Sequence, residues 1–167
     1  MKFLLLQITI IISGFALSSE DWMRYSAISP DGQTIVYSYQ GDLFTVDVNG
    51  GVSKQITSHQ AHDYMPIWSN DSKNIAFASN RFGNFDVFIV GKDGGIPNRL
   101  TFHSSNDYPY DFSATNDKII FLSHRLDDPK SIQFPSGMLR ELYEVPITSG
   151  RENQWILKGL IFLIKKI

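Results

Sequence analysis

Ser29-Pro30-Asp31-Gly32-Gln33-Thr34-Ile35-Val36-Tyr37 decides the fold, because its register recurs twice more along the chain without a gap. Ser69-Asn70-Asp71-Ser72-Lys73-Asn74-Ile75-Ala76-Phe77 begins 40 residues later, and Ser113-Ala114-Thr115-Asn116-Asp117-Lys118-Ile119-Ile120-Phe121 a further 44. Each is a polar turn running into an apolar strand. Ser and Asp side chains hydrogen-bond the backbone of a tight turn, and Pro30 presets its own φ. A period of about 40–50 residues is that of propeller blades, each a small antiparallel sheet.

The flanks keep the same order. A short aromatic or apolar segment precedes each turn, at Tyr25 to Ile28, Pro66 to Trp68 and Tyr110 to Phe112. Strands are predicted at 34–39, 74–79 and 118–123, followed by second strands at 42–48, 85–90 and 141–146. Gln40-Gly41 makes a tight hairpin and residues 80–84 a longer one. Glycine turns close each unit at Asn49-Gly50-Gly51, Asp93-Gly94-Gly95 and Ser149-Gly150, and two units continue to an outer strand, at 54–57 and 98–101. Runs such as Ile119-Ile120-Phe121-Leu122 are apolar on both faces, as a strand lying between two neighbours must be. A β-sandwich also has short strands, but it does not repeat one turn with one set of flanks. The expectation is all-β: a partial β-propeller of three antiparallel blades within 19–151, at about 22–60, 61–104 and 105–151.

Composition narrows the function classes. The 167 residues suit one domain, and 43% hydrophobic with 19% charged content is that of a globular chain. A net charge of -2 gives nucleic acid no electrostatic reason to bind. The absence of cysteine excludes disulfides, a thiol nucleophile, thiolate metal sites and a lipoprotein anchor. At the start, Lys2, the apolar run Phe3 to Ile12 and the small residues Gly14, Ala16 and Ser18 read as a signal peptide over 1–18. The run is shorter than the roughly 20 residues of a membrane span. An exported protein, periplasmic or secreted from a bacterium, is expected, touching the membrane only through that signal.

Ile28-Ser29-Pro30-Asp31-Gly32, Pro66-Ile67-Trp68-Ser69-Asn70-Asp71 and Phe77-Ala78-Ser79-Asn80-Arg81-Phe82-Gly83-Asn84 resemble the TolB-like, or PD40, class of WD40-like propeller repeats. Between blades, Met23-Arg24-Tyr25, Asp63-Tyr64-Met65-Pro66 and Asn106-Asp107-Tyr108-Pro109-Tyr110 resemble the amino-terminal propeller of exported tricorn-type serine peptidases. That resemblance implies that the chemistry of the parent architecture lies in a later domain, beyond a PDZ domain, so no catalytic residue and no cofactor is carried over. The second and third turns depart from Pro-Asp-Gly, having Asn70-Asp71-Ser72 and Ala114-Thr115-Asn116. After Arg151 the pattern is abandoned. Residues 152–167 read as an atypical tail, which points to a truncated gene product, since three blades do not close a ring of 4–8.

Candidate chemistry is sparse. His59 and His62, with Asp63 beside them, have a spacing found among metal ligands, but the repeat supplies no third ligand, so no metal site is assigned. Ser104, His103 and Asp107 contain the residue types of a hydrolytic triad without a strained nucleophile turn to fix their geometry. Asp63-Tyr64 and Asp107-Tyr108 each stand six residues before a turn serine, on the way into the innermost strand. At the border of a central channel they become candidate contacts for a peptide. The competing arrangement has Tyr packed between blades and Asp capping the loop. Phe134, in an insertion over 126–139, is a further candidate contact. The expected function is a non-catalytic propeller segment that binds a peptide or protein, or gates a peptidase's substrates. The alternative is a stand-alone TolB-like periplasmic interaction module, with its oligomeric state open.

Overall fold

The computed structural model describes residues 23–125, 140–148 and 153–154. The signal peptide assigned to 1–18 and the candidate contact Phe134 lie outside the described residues. Twelve strands are described, in three four-stranded antiparallel sheets whose strand order follows the chain. The first blade comprises β1 (Arg24–Ile28), β2 (Thr34–Tyr39), β3 (Asp42–Asp47) and β4 (Lys54–Gln55). The second comprises β5 (Asp63–Trp68), β6 (Asn74–Ser79), β7 (Asp86–Gly91) and β8 (Asn98–Arg99). The third comprises β9 (Asp107–Phe112), β10 (Lys118–Ser123), β11 (Glu141–Pro146) and β12 (Asn153–Gln154).

Two expectations change in detail. The innermost strands β5 and β9 begin earlier than predicted, so that Asp63 and Asp107 open the strands rather than sit in the connections. The third blade also has its outer strand, because Asn153 and Gln154 pair with Glu144 and Tyr143. Those two residues fall within 152–167, which the sequence reads as an atypical tail.

Turn chemistry explains the departures from Pro-Asp-Gly. Gly32 sits in left-handed backbone at φ 72°, and its counterparts Ser72 and Asn116 sit there too, at 58° and 59°. Such a conformation disfavours most side chains, and Asn and Ser occupy it only with help. Here each side chain bonds to the preceding blade. Ser72 Oγ accepts from the Asp31 N–H at 3.1 Å, and Asn116 Oδ1 accepts from the Asn70 N–H at 2.7 Å. The sequence loses a glycine at these turns and the fold gains a bond between blades.

The apolar core lies between the blades. One cluster joins Val36, Leu43 and Ile56 of the first blade to Trp68, Phe77 and Phe88 of the second. Another joins Ala76, Val87 and Leu100 of the second blade to Phe112, Phe121 and Tyr143 of the third. The indole N–H of Trp68 donates to the Ala27 carbonyl at 3.1 Å, which pins the second blade to the first at its innermost strand. A buried Trp of this kind brings apolar area and still satisfies its polar atom.

Candidate functional site

β1 packs against β5 and β5 against β9, so these three edge strands line the axis of the array. Each is bent by an irregularity. The ladder shifts between Arg24 and Ala27 in the first blade and between Tyr64 and Ile67 in the second. Tyr25 and Met65 occupy the matching bulge positions with φ 54° and 53°. A bulge re-aims side chains that regular pleating would send to the blade faces. The result is a hollow of about 260 Å³ on the axis side, lined chiefly by Tyr25, Met65, Pro66, Ile67, Pro109 and Tyr110.

At one end of these strands the aromatic side chains meet. The Tyr64 ring lies 5.3 Å from Tyr25, 4.8 Å from Phe85 and 6.1 Å from Tyr108, all edge-on. His62 covers another side of Tyr64 at 5.2 Å, and the Arg140 guanidinium lies 5.0 Å above Tyr108. Burial, reinforced by a hydrogen bond with Tyr108, pushes the Tyr64 phenol well above its ordinary range, so it stays neutral. Next to it, Arg24, Gln40, Gly41 and His62 border a second hollow of about 360 Å³.

The two aspartates have another role. Asp63 and Asp107 are fully buried, and each is held by an arginine from its own blade, Arg81 at 2.7 Å and Arg125 at 2.6 Å. The arginine Nε atoms donate to Ser79 and Ser123, which stand opposite the aspartates across the ladder. A carboxylate taken out of water needs such a partner. These groups lock the start of the innermost strand and present nothing to a ligand, so of each Asp-Tyr pair only the tyrosine remains a contact candidate. Asp86 forms a third buried pair, with Arg99 at 2.8 Å. Burial pushes its carboxyl up to about 6 against the pull of Arg99. Burial likewise raises Asp107, opposed by Ser123 and Arg125.

The histidines build turns. His59 Nδ1 accepts from the Ala61 N–H at 2.9 Å, and His103 Nδ1, 44 residues on, accepts from the Ser105 N–H at 3.0 Å. With Asp107 on Arg125, the combination of Ser104, His103 and Asp107 does not assemble into a relay. Among the described residues no three His, Asp or Glu side chains converge as a metal site would require.

Sequence reasoning missed Tyr25, His62, Phe85 and Arg140 as members of the cluster, since they come from four different segments. It also missed the arginines, although a signal was present. Asp63, Ser79 and Arg81 recur as Asp107, Ser123 and Arg125 at one constant offset of 44.

Residues 20–159, which contain every described strand, match the tricorn protease N-terminal beta propeller domain. A putative TolB from Agrobacterium tumefaciens superposes with a TM-score of 0.65 at 23% identity, over 81% of this chain and 50% of that one. The tricorn protease itself superposes with a TM-score of 0.58 at 19% identity, over 74% of this chain and 13% of that one. Identities this low speak for the fold alone. Dipeptidyl-peptidase 5 of Porphyromonas gingivalis is 41% identical over 68 residues, 35% of this chain and 10% of its own length. The chain therefore spans half of that TolB and a tenth of that peptidase. The matched domain is a non-catalytic part of a protease, and this chain belongs to the family of tricorn protease N-terminal β-propeller domains.

Proposed function

We propose that this propeller segment binds a peptide or an extended protein chain at the axis end of β1, β5 and β9, and steers it without breaking bonds itself. The row of Tyr25, Tyr64 and Tyr108, one from each innermost strand, carries the reading. Tyrosines supply large contact area at low entropic cost, and their hydroxyls can pair with a peptide backbone. Arg140 above Tyr108 adds a cation for a carboxylate or carbonyl of the bound chain. Phe134, in the insertion over 126–139, is kept as a further candidate contact on sequence grounds. Kinship with peptidases supports peptide as the ligand class.

The test is retention of a tryptic digest of denatured casein on the immobilised chain. Tyr64→Ser and Tyr108→Ala should each reduce retention at least tenfold while the β-sheet circular dichroism is kept. Unchanged retention in both variants refutes the site. A second reading is a stand-alone TolB-like interaction module that assembles with other chains. It predicts that the same column ignores the digest and retains an intact envelope protein. We also place the chain outside the cytoplasm, on the strength of Lys2 and Phe3 to Ile12. Amino-terminal sequencing of the released product should begin near Ser19, and a product beginning at Met1 overturns this placement.

A further inference from the structure

We infer that the hollow on the axis side of β1, β5 and β9 is a side-chain subsite, which takes one apolar side chain of a peptide held at the tyrosine row. This subsite rests on the peptide reading above and adds the kind of residue that is preferred.

The backbone around the hollow is bent at matching places. Tyr25 and Met65 hold φ values of 54° and 53°, a region that bulky side chains rarely enter. Each lies where the ladder of its blade shifts register. In the third blade Pro109 follows Tyr108 as Met65 follows Tyr64. The proline ring fixes φ at about −65°, so this blade cannot repeat the same bend. Its shift falls at Tyr110 instead, between the paired residues Pro109 and Asp111. The blades thus reach one outcome by two routes. Strained backbone of this kind clusters at places where a ligand is clamped.

The walls are apolar. Tyr25, Met65, Pro66, Ile67, Pro109 and Tyr110, together with Ser26, line about 260 Å³. No carboxylate, ammonium or guanidinium is among them, so a charged side chain would lose its water there and find no counter-charge. Pockets that enclose a whole small ligand run from about 300 to 1,000 Å³. This one is smaller and suits a single side chain of leucine or phenylalanine size. Pro66 and Pro109 are buried and rigid, whereas the Tyr25 and Tyr110 rings are 49% and 62% exposed among the described residues. An apolar side chain laid against those rings takes their area out of water along with its own. Tyr25 belongs to both places. Its ring lies 5.3 Å from Tyr64 and also lines the hollow, so a peptide on the tyrosine row has the hollow within reach of one side chain.

Fluorescence anisotropy on the full chain tests the subsite with labelled pentapeptides, alanine throughout except for Leu, Ser or Glu at the centre. The leucine peptide should bind at least about tenfold more tightly than the serine peptide, and the glutamate peptide no better than the serine one. Ser26→Trp puts an indole into the hollow and should bring the ratio of leucine to serine affinities to about one. Tyr110→Ala removes a wall and should lower that ratio about threefold or more, which decides the matter if Ser26→Trp loses its β-sheet signal. Tyr64→Ser should weaken both peptides alike and preserve the ratio. Equal binding of the peptides by the wild type, or a preference for glutamate, overturns the subsite and leaves the peptide reading in place, whether another part of this chain or nothing fills the hollow. A ratio unmoved by both Ser26→Trp and Tyr110→Ala overturns it too. If no peptide binds at all, the subsite and the peptide reading fall together.

Discussion

The first blade and the two that follow share one register and are held by different means. In the first, Asp31 Oδ1 accepts from Ser29 Oγ and the Gln33 N–H, and Gly32, which has no side chain to reach another blade, completes the turn. The second keeps the Ser69–Asp71 pair and adds Ser72, which reaches back to the first blade. In the third the carboxylate has moved to Asp117, which accepts from Ser113 Oγ, while Asn116 reaches back to the second. The later blades also carry the Asp–Arg locks at their innermost strands. At those positions the first blade has Met23 and Gly41. Local turn chemistry sets where a blade's strands begin, and contacts reaching outside the turn decide how firmly it is fixed.

The largest effect that would break this comparison is at the seams. Phe77→Ala empties a fully buried site between the first two blades and should cost about 3–5 kcal/mol in urea unfolding. Phe44→Ala, at a half-buried position of the first blade, should cost less than half of that, and equal costs would erase the distinction. Removing Asp107 strands Arg125 next to an apolar core, again about 3–5 kcal/mol. Asp42→Ala, which loses bonds from Gln55 and the His59 N–H at an exposed edge, should cost about 1 kcal/mol.

The pH dependence sharpens the comparison next. Burial pushes the Asp86 carboxyl from its ordinary value of 3.8 up to about 6 in the folded chain. The native state therefore prefers its protonated form, and this stabilisation is complete below about pH 4 and lost as pH rises through 6. The difference amounts to at most about 3 kcal/mol. Asp107, also raised, acts in the same direction. The turn carboxylates Asp31, Asp71 and Asp117 are lowered by their serine and threonine hydroxyls, so their contribution is lost only as pH falls below about 4. Melting temperature should thus fall between pH 4 and 6. Asp86→Asn should flatten that limb and leave the acid limb unchanged. The smallest expected effect is that of Asn116→Gly. It keeps the backbone conformation and loses one bond to Asn70, about 1 kcal/mol or less.

The repeat made most of the fold legible. β2, β6 and β10 begin and end at their predicted residues, because each follows a turn whose chemistry fixes the first strand position. β5 and β9 were read short, since the shift between Tyr64 and Ile67 breaks the alternation by which a strand is recognised. β12 is two residues of polar sequence, Asn153 and Gln154, and carries no apolar signal at all. The candidate site was half legible. Tyr64 and Tyr108 lie in the cluster, but a carboxylate beside a tyrosine looks alike on paper whether it faces a ligand or an arginine 18 residues away.

Because the apolar clusters span pairs of blades, a single blade has no interior of its own. Each blade therefore depends on the seam that it shares with a neighbour, as in other linear repeat arrays. Among the described blades, local opening should therefore proceed one seam at a time. Amide hydrogens of β6 and β7, covered on both faces by described blades, should exchange more slowly than those of β4 and β8, the two-residue outer strands. The middle blade acts as the slow clock of the array, and its neighbours set when that clock starts.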